Sequence, residues 1–571
     1  MQTTTSKMIF EPKWQQLKCL LVDDNRGKAN FLRSQLSSIG IVNIDIANGY
    51  ESAIKKCVAN SYHFILINYE LAHTINGSEL TNLLLNKQLI NSQCHVLLLS
   101  DSSSTEYVLT CISNDQTNLL NTPTNVAVLR QKLTNIYTEV IRQDYLRTTL
   151  NTMHTSDAVE LYLNEIQMHG HSSKLDKLLF DFLIDNDELE IAASTINRIQ
   201  TNKSNHQLSF YEAKIFLKRG NLTSAIFTLE SLISNAPLSI EALDLYAHCL
   251  EMNKQYWDAI TIAKRALNLT PSINHRAIRV ARLASFINRP QDLHDAGVLL
   301  ANHLSIIDVK WVSQLSLYCE YFRNAYQSVD TPFHKRQYKQ SIKHIFKHAQ
   351  SRLLNTQRPF LTLYYSITLA QLLLLDGQQR KSKRRLLFSL STYYNHLHSL
   401  PSLILIELLG LLFKFGETEL MTQIYQTLKL RDCFDQQSRS RMDELRINSD
   451  LVFKVNRMDM KLDTAFSLIK SDTNKAIAIY SDTLEKFPHS SEANLGLIQC
   501  LLNCHSYNDN RLDNCAKNLH SMPLPAKLDH WRLQIVDKCK QAHHNRIRKY
   551  YRLLKSNKRP EQSLQQRPYI Y

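Results

Sequence analysis

The sequence predicts an α/β domain, a doubly wound parallel five-stranded sheet, followed by an all-α helical solenoid. Three observations carry that expectation. Up to about residue 140, short β-rich runs alternate with amphipathic helical segments. Beyond Tyr145 the strand patterns cease and helical periodicity continues to the end. Within that second stretch, segments separated by 34 residues superpose without a gap. Close alternation of β and α implies parallel strands covered by helices on both faces. A fixed period of that length implies stacked helix pairs.

The first elements follow in order. CLLVDDN (Cys19 to Asn25) is an apolar strand ending in two carboxylates, and Lys28 to Ile39 is a helix with Phe31, Leu32, Leu36 and Ile39 on one face. VNIDIAN (Val42 to Asn48) is the second strand and Gly49 to Ala59 the second helix. FILIN (Phe64 to Asn68) is a buried strand, followed by a polar loop to Gly77 and a helix from Ser78. The strand HVLLLS (His95 to Ser100), a helix around Glu106 to Ser113, a short strand near Leu119, the dipeptide Thr122-Pro123 and a helix from Asn125 to Tyr137 complete the domain. Polar groups in such a sheet gather at the carboxyl ends of the strands. Asp23, Asp24, Asn68 and Ser100 all stand there. The neutral amide at 68 is the odd member, because the residues around it suit a carboxylate.

On these residues the segment from about Leu17 to Leu133 resembles the receiver domain of bacterial two-component response regulators. The resemblance implies that an acidic pair after the first strand holds Mg²⁺, and Asp23 and Asp24 match it. It implies a hydroxyl after the fourth strand, which Ser100 supplies. It also implies a phosphoacceptor Asp where this chain has Asn68, a Lys where it has Thr122 just before Pro123, and an aromatic switch residue where it has Leu119. These departures decide the expected chemistry. Accepting a phosphoryl group needs an anionic oxygen and a metal to neutralise the incoming charge. An amide oxygen is neutral and tied up in resonance, so it forms no stable acyl phosphate. Losing that carboxylate also weakens a Mg²⁺ site, and Asp23 and Asp24 are then as compatible with capping and loop solvation as with residual Mg²⁺. The expectation is a pseudo-receiver. Asp45 is a poor substitute acceptor because it lies inside the second strand, and Asp101 stands beside Ser100 as a further source of charge.

Bulk composition fits this division. A chain of 571 residues is too long for one core. Eleven glycines are few for an α/β enzyme of this length, and scarce Gly and Pro favour long helices with short turns. The eleven cysteines include no Cys-x-x-Cys pair, which favours buried free thiols over zinc. The N-terminal MQTTTSKMIFEPKWQQLK lacks a signal-peptide core, and the longest apolar run, Leu403 to Phe413, is too short to span a bilayer and contains Glu407. Cytoplasm is the expected compartment. The expected organisation is an N-terminal extension (1–16), a receiver-like domain (17–138), a helical repeat region (150–535) and a basic tail (538–571).

In the helical region, Phe210 to Pro237 and Asp244 to Pro271 superpose with Ala213 on Ala247, Ala225 on Ala259, Leu232 on Ala266 and Pro237 on Pro271. Small residues let paired helices approach, and proline ends the second helix. This pattern resembles the tetratricopeptide repeat, although the Trp and Gly of its consensus are missing. The clearest units are 206–239, 240–273 and 457–490, the last with Ala476, Tyr480 and Pro488 in the matching places; weaker ones begin near Lys174, His275, Leu363 and Leu403. Stacked pairs leave a groove for a partner peptide or helix. Phe210, Lys214, Leu217, Asp244, His248 and Glu251 are the residues expected to line it, against the alternative that they form ordinary solvated faces.

The formal charge of +15 is uneven. From Lys538 to Tyr571 there are ten Lys or Arg and one acid, Glu561, and further clusters lie at Lys335–His348 and Arg380–Arg385. Interleaved Tyr550 and Tyr551 make the tail compatible with nucleic acid and equally with capping the last helix pair. Glu241-Ala242-Leu243 spells a phosphodiesterase signature but falls on a repeat helix. The pairs His169/His171 and His543/His544 lack companions for a metal. No constellation of nucleophile, base and oxyanion donors can be assembled. The sequence therefore points to a non-catalytic signalling adaptor of phosphorelay type, without a bound cofactor, whose protein partners include a histidine kinase or another response regulator. A nucleic-acid-associated regulator acting through the basic tail is the alternative.

Overall fold

The computed structural model describes residues 12–555, except 72–74, 91–93, 102–103, 117, 153, 171, 201–205, 307, 432–433, 448 and 542–544. Residues 1–11 of the expected extension, 556–571 of the basic tail, and His543 and His544 lie outside the described residues. The chain divides into two compact units, Met1–Ile307 and Asp308–Tyr571.

The first unit begins with β1 (Lys18–Val22), α1 (Arg26–Ile39), β2 (Asn43–Ala47), α2 (Tyr50–Ala59), β3 (Phe64–Asn68), α3 (Gly77–Asn86), β4 (His95–Ser100), α4 (Thr105–Ser113), β5 (Leu119–Asn121) and α5 (Val126–Thr152). The five strands are parallel in the order β2-β1-β3-β4-β5, a doubly wound arrangement. Every residue of FILIN is buried, as a central strand flanked on both faces requires. Helix α1 starts where the Asn25 side chain accepts the amides of Gly27 and Lys28, and ends at Gly40 in the left-handed region. Its buried stripe runs through Ala29, Leu32, Leu36 and Ile39. Phe31, expected on that face, is 54% exposed, because it lies about 100° round the helix from Leu32.

Helix α5 runs on through residues 139–149, between the two regions expected from sequence. After it come α6 (Thr155–His169), α7 (Ser173–Asp185), α8 (Leu189–Gln200), α9 (His206–Lys218), α10 (Leu222–Asn235), α11 (Ile240–Met252), α12 (Tyr256–Leu269), α13 (Asn274–Phe286) and α14 (Pro290–Asn302). First helices of successive pairs open at Ser173, His206, Ile240 and Asn274, so the 34-residue period holds from His206 and is preceded by a pair one residue shorter. Ala213, Ala225, Ala247 and Ala259 are fully buried at the helix–helix contacts. The turn within each pair carries a left-handed residue at the same place: Asp187 (φ 61°), Gly220 (φ 75°), Lys254 (φ 61°) and Asn288 (φ 54°).

The second unit consists of α15 (Lys310–Gln327), α16 (Pro332–Arg352), α17 (Arg358–Leu375), α18 (Gln379–Leu390), α19 (Ser402–Phe415), α20 (Thr418–Lys429), α21 (Gln436–Ile447), α22 (Ser449–Leu468), α23 (Thr473–Lys486), α24 (Ser491–Asn503), α25 (Asn510–Leu519), α26 (Ala526–Gln541) and α27 (Asn545–Leu554). Helices α17 and α18, α19 and α20, and α22 and α23 pack as antiparallel neighbours. Within the third repeat, Ala476 and Tyr480 are buried, and a Cβ on Gly496 would meet the Tyr480 ring at 2.2 Å. Lys383, almost wholly buried, donates to Glu417, the His489 carbonyl and Ser491 Oγ. Among the described residues no helix is long and apolar enough to cross a membrane.

Candidate functional site

The strand ends bring Asp23, Asp24, Asn68 and Ser100 to one edge of the sheet. Asp23 follows β1 and is 4% exposed. Its Oδ1 accepts the Asn25 amide at 2.8 Å, which shapes the turn into α1. Asn68 closes β3 opposite Leu99 and is likewise buried. Its Oδ1 accepts the Glu70 amide at 3.2 Å. Burial raises the Asp23 pKa, opposed by the Asn25 amide and by the Asn68 side chain. Asp24 is half-buried.

Gly77 makes this geometry possible. A Cβ there would lie 2.7 Å from the Asn68 carbonyl oxygen and 2.9 Å from Tyr69 Cα. The start of α3, fixed by a capping box between Asn76 and Glu79, therefore closes directly on the end of β3.

On the other side of the edge, Ser100 ends β4 and is 1% exposed. Its carbonyl accepts the Thr122 amide at 2.9 Å. Thr122 Oγ1 donates to Asp101 Oδ1 at 2.6 Å. Lys28, in the first turn of α1, forms an ion pair with the same Asp101. Its hydrogen bond to Asp101 raises the Lys28 pKa, and bonds from Lys28 and Thr122 lower that of Asp101. Sequence alone gave Asp101 as a source of charge but gave Lys28 no role; position 28 reads only as a helix start.

Mg²⁺ takes an octahedron of oxygens; here Asp23 Oδ1 accepts the Asn25 amide and the Asn68 amide oxygen accepts that of Glu70. Among the described residues no group of three or more His, Cys, Asp or Glu is placed to hold a metal.

This edge is joined to the helix array of the same unit. Tyr69, next to Asn68, packs edge-on against Tyr107 of α4 with ring centroids 4.3 Å apart. Further along α4, Leu109 enters the array's core with Leu243 and Ala266. Thr110 Oγ1 lies 3.2 Å from Ser272 Oγ, and Arg276 donates to Ser113 Oγ at 3.1 Å. Lys177 of α7 pairs with Asp115, and Lys174 donates to Asn118 at 3.1 Å and Glu139 at 2.9 Å.

The residues expected to line a partner groove are distributed differently along the array. Lys214 pairs with Asp181 at 2.8 Å, reaching from α9 to α7, and its ammonium sits over the Phe210 and Tyr211 rings. Asp244 receives Arg276 at 2.7 Å and Arg279 at 3.4 Å, and Glu251 receives Arg282 at 2.7 Å, both from α13. Their charges thus form a ladder between successive first helices. Phe210 is buried and lines a cavity of about 670 Å³ with Ile112, Lys174, Lys177 and Gln207. Leu217 is half-buried and His248 exposed. Arg276, 3% exposed, is the residue sequence reasoning missed here; no motif marks it.

A 2-1-3-4-5 parallel sheet with acids after β1, a polar residue closing β3 and a hydroxyl closing β4 defines a receiver-type α/β domain, here followed by paired helices at a 34-residue period. Residues 19–134, about a fifth of the chain, match the family model described as response regulator receiver domain. Among solved structures, the chain is similar to the TPR domain of P58(IPK), with 12% identity over 62% of this chain and 97% of that one and a TM-score of 0.20. It is also similar to the Naa15/Naa10 structure bound to HypK-THB, with 12% identity over 78% of this chain and 87% of that one and a TM-score of 0.22. With such low scores, the reading of the helical region rests on its own helix pairs. No curated protein matches the chain.

Proposed function

We propose that this protein is a non-catalytic signalling adaptor in which a pseudo-receiver, unable to accept a phosphoryl group, is built into a helical array that engages protein partners. One observation carries the reading: the residue at the acceptor position is a buried amide whose oxygen accepts the Glu70 backbone N–H. An acceptor must present an anionic oxygen there. In this chain that oxygen is neutral and engaged by backbone, and Lys28 serves Asp101 rather than an incoming phosphate. The site is satisfied by its own side chains. The proposal includes no Mg²⁺, a cytoplasmic setting, and partners from two-component signalling such as a histidine kinase or another receiver. The match of residues 19–134 to the receiver family supports the signalling context.

The test is incubation of the full chain with acetyl phosphate and Mg²⁺, and separately with phosphorylated histidine kinases, followed by intact-mass measurement at neutral pH. The expected result is an unmodified protein. An acid-labile phosphoryl adduct on residues 17–138 would overturn the proposal.

A further inference from the structure

Between Asp330 and Glu407 the chain carries twelve lysines and arginines and a single acidic residue, Asp376. That acid is already taken: Lys335 and Lys339 hold it at 3.2 and 2.6 Å, and the Tyr326 hydroxyl donates to it. Lys383 turns inward to Glu417. Of the other nine, Arg358 bonds the Gln350 and Leu353 carbonyls, and six face outward on two helices. Arg336, Lys343 and Lys347 are exposed on α16 at spacings of seven and four residues, which places them on one face over about 16 Å. Lys381, Arg384 and Arg385 are exposed on α18. None of the six has a carboxylate partner among the described residues. By contrast Lys214, Arg276 and Arg282 of the first unit pair with acids on neighbouring helices.

Helix α17 joins the two rows. The Tyr365 ring packs against Phe346 of α16 at 4.9 Å, and the Arg385 guanidinium lies 5.7 Å from the same ring. Two large aromatic side chains are exposed beside the cations: Phe333, three residues before Arg336, is 65% exposed and meets the His334 ring edge-on at 5.6 Å, and Phe388, four residues after Arg384, is 67% exposed. On a helix both spacings put the ring next to its cation.

We infer that the outward surface of α16 and α18 binds single-stranded nucleic acid. Unpaired cations in two rows match a repeating phosphate backbone, whose binding is driven by release of counterions. Exposed rings beside them supply stacking platforms for bases, which every base can use and which an acidic protein segment cannot exploit to the same end. The site is separate from the receiver edge, so it neither requires nor disturbs the adaptor reading.

The test is fluorescence anisotropy of the full-length protein with labelled oligouridylate and oligothymidylate across a salt series. The variants are a sixfold one with Arg336, Lys343, Lys347, Lys381, Arg384 and Arg385 all changed to Gln, and a double one with Phe333→Ala and Phe388→Ala. All eight side chains are exposed, and an unchanged melting temperature confirms folding. The sixfold variant is expected to flatten the log–log salt slope by about 4, from about 0.7 per phosphate contact. The double Phe variant is expected to weaken binding about tenfold at an unchanged salt slope. Undiminished binding by the sixfold variant, including binding carried by the tail, would overturn the inference. So would polyglutamate competing as well as the oligonucleotide while the Phe variants change nothing, which would assign the surface to an acidic protein.

Discussion

Asn68→Asp puts the acceptor carboxylate back and turns the central argument into a stability measurement. Asp23 and Asn68 are 4% and 8% exposed, and the Asn68 side chain lowers the Asp23 pKa. Two like charges about 4 Å apart repel by about 4 kcal/mol at an effective dielectric constant of about 20. The lost N–H donor removes about 1 kcal/mol more. Protonation of the pair limits the damage: carrying a proton at pH 7 costs an ordinary Asp about 1.4 kcal/mol for each unit above its pKa of about 3.9, roughly 4 kcal/mol. The expected loss at pH 7 is therefore about 3–4 kcal/mol. The new carboxyl has a folded pKa above its unfolded value, so its stability contribution is complete below about pH 3.9 and lost as pH rises through the folded value. The deficit against wild type should vanish in acid and grow toward neutrality. Mg²⁺ should restore part of it, about 1.4 kcal/mol at ten times the dissociation constant. Hydrogen exchange of the β1 and β3 amides reads this sheet separately from the helices, and Asn68→Ala controls for loss of the amide alone. The reasoning is refuted if Asn68→Asp is as protected as wild type at pH 7 without metal, or if Mg²⁺ protects wild type equally.

Three further outcomes follow from other contacts. Arg276→Met should leave Asp244 without its shortest ion pair and break the bond to Ser113, costing about 3 kcal/mol; exchange protection should fall in α4 and α11 together. Burial raises the Glu492 pKa from 4.5 to about 7, with Asp459 and Glu419 adding to the rise and Lys527 opposing it. This group's contribution is full below pH 4.5 and lost as pH rises through 7, so Glu492→Gln should exceed wild type by about 2–3 kcal/mol at pH 8 and match it at pH 4.5 in denaturant titrations. Lys254→Gly should raise the melting temperature slightly, because a left-handed non-glycine residue costs about 1–2 kcal/mol, only partly offset by glycine's lost entropy.

The sheet was legible because each strand is a short apolar run closed by a polar residue, and FILIN followed by a loop to Gly77 has few other readings. The amide at 68 was legible for the same reason. Which way that amide faces was not, because it is set by the Glu70 backbone, whose N–H its oxygen accepts. Lys28 escaped notice because it acts 73 residues away, on Asp101. Repeats at 206–273 were visible through their alanines, while the pair at 274–302 keeps only the first, buried Ala281, and has Leu293 at the second, which made its unit near His275 weaker. At the turn where a glycine would mark the period, the chain has Asp187, Lys254 and Asn288 in the left-handed region, and Gly220 alone of the four is glycine. The residues expected to line a groove lie on α9 and α11, and sequence could not show that Lys214, Asp244 and Glu251 find partners on the neighbouring pair.

The amide and the packing of α4 bear on the same conclusion from different sides. A receiver that switches must let the elements beside its acceptor move between two arrangements, and that requires their packing to be bistable. In this chain the element beside Asn68 is α4, reached through the Tyr69–Tyr107 contact. Its Leu109 is part of the array's hydrophobic core, and hydrogen bonds at Thr110 and Ser113 fix it to Ser272 and Arg276. Helix α5 passes into the array without a break, so no slack segment can absorb a displacement. Moving α4 would expose a core leucine and strip Arg276 of one of its partners, a combined cost of several kcal/mol. On the proposed reading, an acyl phosphate on this sheet would have to supply that energy through an amide at residue 68 and a threonine at 122. The proposed pseudo-receiver and the burial of α4 are thus mutually consistent: with α4 committed to the array, a trigger at residue 68 would have nothing left to move.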